Sequence, residues 1–156
     1  MLVAAFRPRT DRRITALAEL LAPRFEVFTA DHEIEEVGAV IADAGGSAGV
    51  FGIGSGGVLA LEAAHTLPIT RVAVYGVELS SLPVERLRSV RMPALVIDGE
   101  NSGPGVRRAA RALWRVLPDV QRRTLEGQGH DCDPEALAPA LEAFFAGSTV
   151  RGGVEA

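Results

Sequence analysis

Short β-branched runs alternate with longer stretches of helical period along the chain, a pattern that predicts parallel strands joined by crossover helices. Leu2 to Phe6 reads as the first strand, followed by a helix with Ile14, Leu17, Ala18 and Leu21 on one face. Pro23 closes that helix, and Phe25 to Thr29 reads as the second strand. Asp31 is placed to cap the next helix, whose apolar face is Ile34, Val37 and Ile41 and whose end is Gly45-Gly46. Ala48 to Ile53 is the third strand, Val58 to Leu67 an apolar helix, Arg71 to Tyr75 the fourth strand and Ala94 to Ile97 the fifth. The next helix turns Val106, Ala109, Ala110, Leu113 and Leu117 inward and Arg107, Arg111 and Arg115 to solvent. Val120 to Leu125 is the sixth strand, and Asp133-Pro134 opens a last helix that Pro139 should kink or split. The expected fold is an α/β three-layer sandwich with a mostly parallel six-stranded sheet. It forms one domain over residues 1–147, with a polar tail at 148–156.

Composition narrows the chemistry only a little. The 156 residues carry a net charge of −4, which gives no reason to expect nucleic acid or an anionic membrane as a partner. All 16 basic residues are arginine, as in a chain from a GC-rich bacterial-type genome, so side-chain Schiff-base catalysis is excluded. One cysteine, Cys132, forbids an intrachain disulfide and argues against a thiolate metal site. The N-terminal segment lacks the shape of a signal peptide, and no apolar run is long enough to span a membrane, so the expected compartment is the cytoplasm.

The chemistry gathers at two loops. In Gly52-Ile53-Gly54-Ser55-Gly56-Gly57 a strand passes into a helix with no intervening loop. Such a turn needs small residues two before and two after its apex, and an apex at Gly54 finds Gly52 and Gly56 there; an apex at Ser55 would find Ile53. The apex takes a positive φ, which is cheap for glycine and strained for serine. This segment resembles the nucleophile elbow of the α/β-hydrolase family, G-x-S-x-G-G, with Gly54 standing at the serine position. The stretches Leu61 to Ala64, Val72 to Tyr75, Pro93 to Gly99 and Leu125 to Asp131 are similar to the same family in the same order. The resemblance implies a minimal hydrolase-like core with a short lid and without the family's first two antiparallel strands. It also implies departures. The usual acid position falls near Ser102, flanked by Glu100 and Asn101, with Glu78 as the alternative acid after the preceding strand; the oxyanion loop reads Arg7-Pro8-Arg9.

The second loop carries His130, which the resemblance makes the general acid or base facing the summit, with the Ser55 N–H as an oxyanion donor. Candidate catalytic residues are thus His130, Ser55, Glu78 and Glu100, and candidate substrate-binding residues Gly54, Gly56 and Asp131. Asp131 also reads as a loop or cap residue, Cys132 as a buried thiol, and His32 and His65 as structural. Gly52-x-Gly54-x-x-Gly57 with Glu78 also satisfies a dinucleotide fingerprint, though after the third strand and not the first. No cofactor or metal is expected. Three readings stay open: a cofactor-independent catalyst on a small carbonyl or ester-type metabolite, a non-catalytic protein that binds a small molecule or a partner protein, and an esterase acting through Ser55. An uncovered sheet edge makes a homodimer the expected assembly under the second.

Overall fold

A computed structural model of the chain describes residues 2–6, 12–30, 33–78 and 84–147. The strands are β1 (Leu2–Phe6), β2 (Glu26–Ala30), β3 (Ala48–Ile53), β4 (Ile69–Tyr75), β5 (Ala94–Gly99) and β6 (Val120–Leu125). The helices are α1 (Arg12–Leu21), α2 (Ile34–Asp43), α3 (Ser55–Thr66), α4 (Val84–Leu87), α5 (Pro104–Val116) and α6 (Pro134–Phe145). The strands form one sheet in the order β2-β1-β3-β4-β5-β6, and each pairing is parallel.

Both faces of the sheet are covered, which is why β3 and β5 read as nearly unbroken apolar runs and are buried at every position. On one face Val50, Val72, Val74 and Val96 pack against Val37 and Ile41 of α2, Ala60 and Ala64 of α3 and Leu113 of α5. On the other, Phe51, Ala73, Leu95 and Ile97 pack against Ile14, Leu17 and Leu21 of α1 and Leu141, Phe144 and Phe145 of α6. The chain runs outward from β1 to β2 and then returns to β3 on the far side of β1. This reversal opens a crevice at the carboxyl ends of the central strands, the place where open α/β sheets bind ligands.

Several expectations need correction. Phe25 is buried but belongs to the turn after α1, its N–H bonded to the Leu21 carbonyl at 3.0 Å, so β2 begins one residue later. Helix α3 begins at Ser55 and not at Val58, because the tight turn brings Gly56 and Gly57 into the helix. Pro139 does not split α6, which runs unbroken from Pro134 to Phe145. Pro139 and Glu135, whose carbonyl loses its intrahelical donor, are both exposed, so water can satisfy the orphaned oxygen. Arg111 and Arg115 are exposed as expected, whereas Arg107 is half-buried and its Nε is buried without a hydrogen-bond partner. His65 is exposed and pairs with the Ser89 hydroxyl, tying α3 to the segment after α4. Asp31, His32, Arg7-Pro8-Arg9 and residues 148–156 lie outside the described residues. Among the described residues no helix is long and apolar enough to cross a membrane.

Candidate functional site

The turn between β3 and α3 has its summit at Gly54, with φ 58° and ψ −122°. An L-residue holds that conformation only under strain, and glycine does so freely. The summit is fixed from both sides: the Gly54 N–H donates to the Tyr75 carbonyl at 2.9 Å, and the Gly54 carbonyl accepts from Gly57 N–H at 2.9 Å. Gly52 allows the close approach beneath it. A Cβ there would lie 2.2 Å from the Gly56 carbonyl oxygen, a backbone atom that cannot swing aside. The glycines of the Gly52-x-Gly54-x-x-Gly57 pattern are therefore used by the turn itself. Ser55 is the first residue of α3 and is exposed, one position past the summit, at the positive end of a twelve-residue helix.

A cavity of about 620 Å³ opens over this turn. Ile53 and Gly54 contribute from the end of β3, Ser55 and Val58 from α3, Tyr75 from the end of β4 with Gly76 and Glu78 just beyond it, residues 102–106 from the start of α5, and Gly129 and His130 from the last loop. The structure thus brings His130, Ser55, Glu78 and Gly54 to one cavity. It does not bring the other three candidates there. Glu100 accepts the Gly127 N–H at 2.8 Å and closes the turn after β6. Asp131 points outward, its side chain 87% exposed, and pairs with Arg13 at 3.3 Å. Gly56 is buried in the first turn of α3 behind the cavity wall. Ser102, at the position the acid would occupy, lines the cavity but caps its own turn by accepting the Gly99 N–H at 2.9 Å.

The histidine loop is held at nearly every residue. Asn101 N–H donates to the Gln128 carbonyl at 2.8 Å, Asp133 N–H to the Gln128 side chain at 2.9 Å, and the Tyr75 hydroxyl to the Gly129 carbonyl at 2.7 Å. Arg13 Nη1 donates to the His130 carbonyl at 3.2 Å. The His130 residue itself is exposed on the cavity wall, and among the described residues its ring has no hydrogen-bond partner. Among the described residues no carboxylate is hydrogen-bonded to the imidazole.

Two buried groups beside the site were not found by sequence reasoning. Tyr75, the chain's one tyrosine, is buried at the end of β4 and lines the cavity. Burial pushes its phenol well above the ordinary range, with the Cys132 thiol adding to the effect, so it stands neutral as a donor. The Cys132 thiol is likewise raised by burial, which makes it a poor nucleophile. Asp98 is 0% exposed and turns away from the cavity, pairing with Arg122 at 3.2 Å and accepting the Thr124 hydroxyl at 2.7 Å. The one sequence signal for either group was a polar residue closing an otherwise apolar strand. Among the described residues no cluster of three histidine, cysteine, aspartate or glutamate side chains is placed to hold a metal ion.

No family model and no curated protein matches the chain. Solved structures do. An alpha/beta hydrolase from Sphaerobacter thermophilus is similar with a TM-score of 0.78 and 26% identity, over 92% of this chain and 91% of that one. Est1E from Butyrivibrio proteoclasticus gives a TM-score of 0.78 at 15% identity, over 94% and 87% of the two chains. A monoacylglycerol lipase from Paleococcus ferrophilus gives 0.75 at 14% identity, over 95% and 94%.

Proposed function

The chain has the α/β-hydrolase fold, and from that premise we propose that it acts on a small carbonyl- or ester-type metabolite without a covalent nucleophile. The observation that carries this reading is the summit at Gly54: its φ of 58° marks the turn where the fold presents a nucleophile, and glycine has no side chain to present. What remains around the cavity is a proton-transfer group, His130, which lines the same cavity as the amino end of α3. Imidazole is a side chain that can both give and accept a proton, through its two ring nitrogens. The first turn of α3 stabilises negative charge developing on a substrate oxygen. Together they suit isomerisation, cyclisation, elimination or attack by water, with His130 taking or giving the proton. Tight anchoring of the His130 loop supports this, since a proton donor must be held to within a fraction of an ångström to be effective.

A second reading, a non-catalytic binding protein, is favoured by an imidazole with no carboxylate partner among the described residues and by the engagement of Glu100 and Asp131 elsewhere. Ferulic acid is bound to Est1E in one solved neighbour, and phenolic acids and their esters are a fitting first set of ligands for either reading. The test compares the wild-type chain with His130→Ala on small esters, lactones and hydroxycinnamates. The catalytic reading expects kcat to fall about 10²- to 10⁴-fold with KM little changed. Equal turnover by the two proteins contradicts it, and binding with no turnover by either supports the second reading.

A further inference from the structure

The geometry points to Tyr75 as the positioning residue that sets the placement of His130 relative to the Gly54 summit. This inference rests on the reading of His130 as the proton-transfer group, and it goes beyond it by naming what holds that group in register.

Tyr75 touches both halves of the site with different atoms. Its backbone carbonyl accepts the Gly54 N–H at 2.9 Å, and its hydroxyl donates to the Gly129 carbonyl at 2.7 Å, one residue before the histidine. Its own place is rigid, because Tyr75 pairs with Ile53 of β3 on one side and Ile97 of β5 on the other. The span from the summit to the histidine loop is therefore the length of one tyrosine.

The surrounding sequence keeps that path open. A Cβ on Gly99 would lie 2.7 Å from the Tyr75 hydroxyl and 2.2 Å from the Gln128 carbonyl oxygen. Glycine at the end of β5 lets the phenol reach the loop. Without the hydroxyl, the half-buried Gly129 carbonyl would lose its protein donor and the loop would depend on contacts from outside the cavity, at Arg13 and Gln128. Nothing else that lines the cavity makes a hydrogen bond to residues 129–130 among the described residues.

The test reads the imidazole directly. Ring-proton and ring-nitrogen resonances of the three histidines are recorded for the full chain, with His130 assigned by its loss in His130→Gln. In Tyr75→Phe, which keeps the ring and removes the hydroxyl, the His130 resonances are expected to shift and broaden and its midpoint of titration to move, while those of His65 stay in place. Val50→Ala, a destabilising change on the opposite face of the sheet, is expected to leave His130 untouched. That control separates positioning from general loss of stability. Unchanged His130 resonances and titration in Tyr75→Phe overturn the inference.

Should Tyr75→Phe fail to fold, the single tyrosine offers a second measurement. Replacement by 3-fluorotyrosine gives one fluorine resonance, which is expected to move as His130 titrates and to stop moving in His130→Gln. A fluorine signal indifferent to His130 overturns the inference as well. Neither readout requires turnover: a moved imidazole with no activity on any substrate leaves the positioning role standing and removes the catalytic reading.

Discussion

Asp98→Ala is expected to destabilise the protein by about 3–5 kcal/mol, the cost of breaking a buried ion pair by deleting one partner. Asp98 is wholly buried, and its two carboxylate oxygens are used by Arg122 and the Thr124 hydroxyl. Removing the carboxylate strands the guanidinium of Arg122, a residue only 8% exposed whose Nε is already buried without a partner among the described residues. A stranded buried charge costs more than the pair contributes when intact. The double variant Asp98→Ala with Arg122→Met is therefore expected to be more stable than Asp98→Ala alone, the interaction showing as a large non-additive term. Urea denaturation of the four proteins of the cycle measures it. A loss below about 1 kcal/mol, within the range of exposed pairs, would show that water reaches this pair.

Gly52→Ala is expected to be nearly as damaging, at or above the ~3 kcal/mol upper end of ordinary overpacking. Its new methyl would meet the Gly56 carbonyl oxygen at 2.2 Å and the Gly57 nitrogen at 2.7 Å, so α3 would have to lift off β3. Lifting α3 also opens the floor of the cavity. Gly105→Ala is the contrast: nothing lies within 4 Å of a Cβ there, in the first turn of α5. It should stabilise slightly, because glycine in a helix costs roughly 0.5–1 kcal/mol relative to alanine. Denaturant midpoints for the two variants should move in opposite directions. Similar midpoints would mean the turn is looser than its geometry indicates.

Local physics makes much of this fold readable in the sequence. Ala48–Ile53 and Val120–Leu125 were bounded correctly because turn residues interrupt the apolar or β-branched pattern at both ends. The Gly54 summit followed from spacing alone, since close approach of strand and helix dictates where side chains cannot be. Where distant contacts decide, the sequence was silent or misleading. Gly56 and Gly57 are poor helix formers, yet the turn places them in α3. Glu100 and Asp131 sit beside the expected acid and histidine, but their partners lie 27 and 118 residues away in the chain, and those partners draw them from the cavity. Tyr75 closes a stretch that resembles the family, but nothing in the sequence marks it as a site residue. Its importance comes from three strands meeting at one end.

The two glycine-dependent features bear on function together. The same absence of side chains that lets β3 run directly into α3 leaves the summit at Gly54 without a side chain. Ser55, the first residue of α3, lies one position past the summit and not on it.

Incubation with an alkyl fluorophosphonate, followed by intact mass and peptide mapping, tests the absence of a covalent nucleophile most directly. The wild-type chain should gain no adduct, whereas Gly54→Ser, destabilised by roughly 1–3 kcal/mol through its strained φ, should gain one at the new side chain. An adduct on Ser55 of the wild-type protein would contradict the account and make the protein a serine esterase.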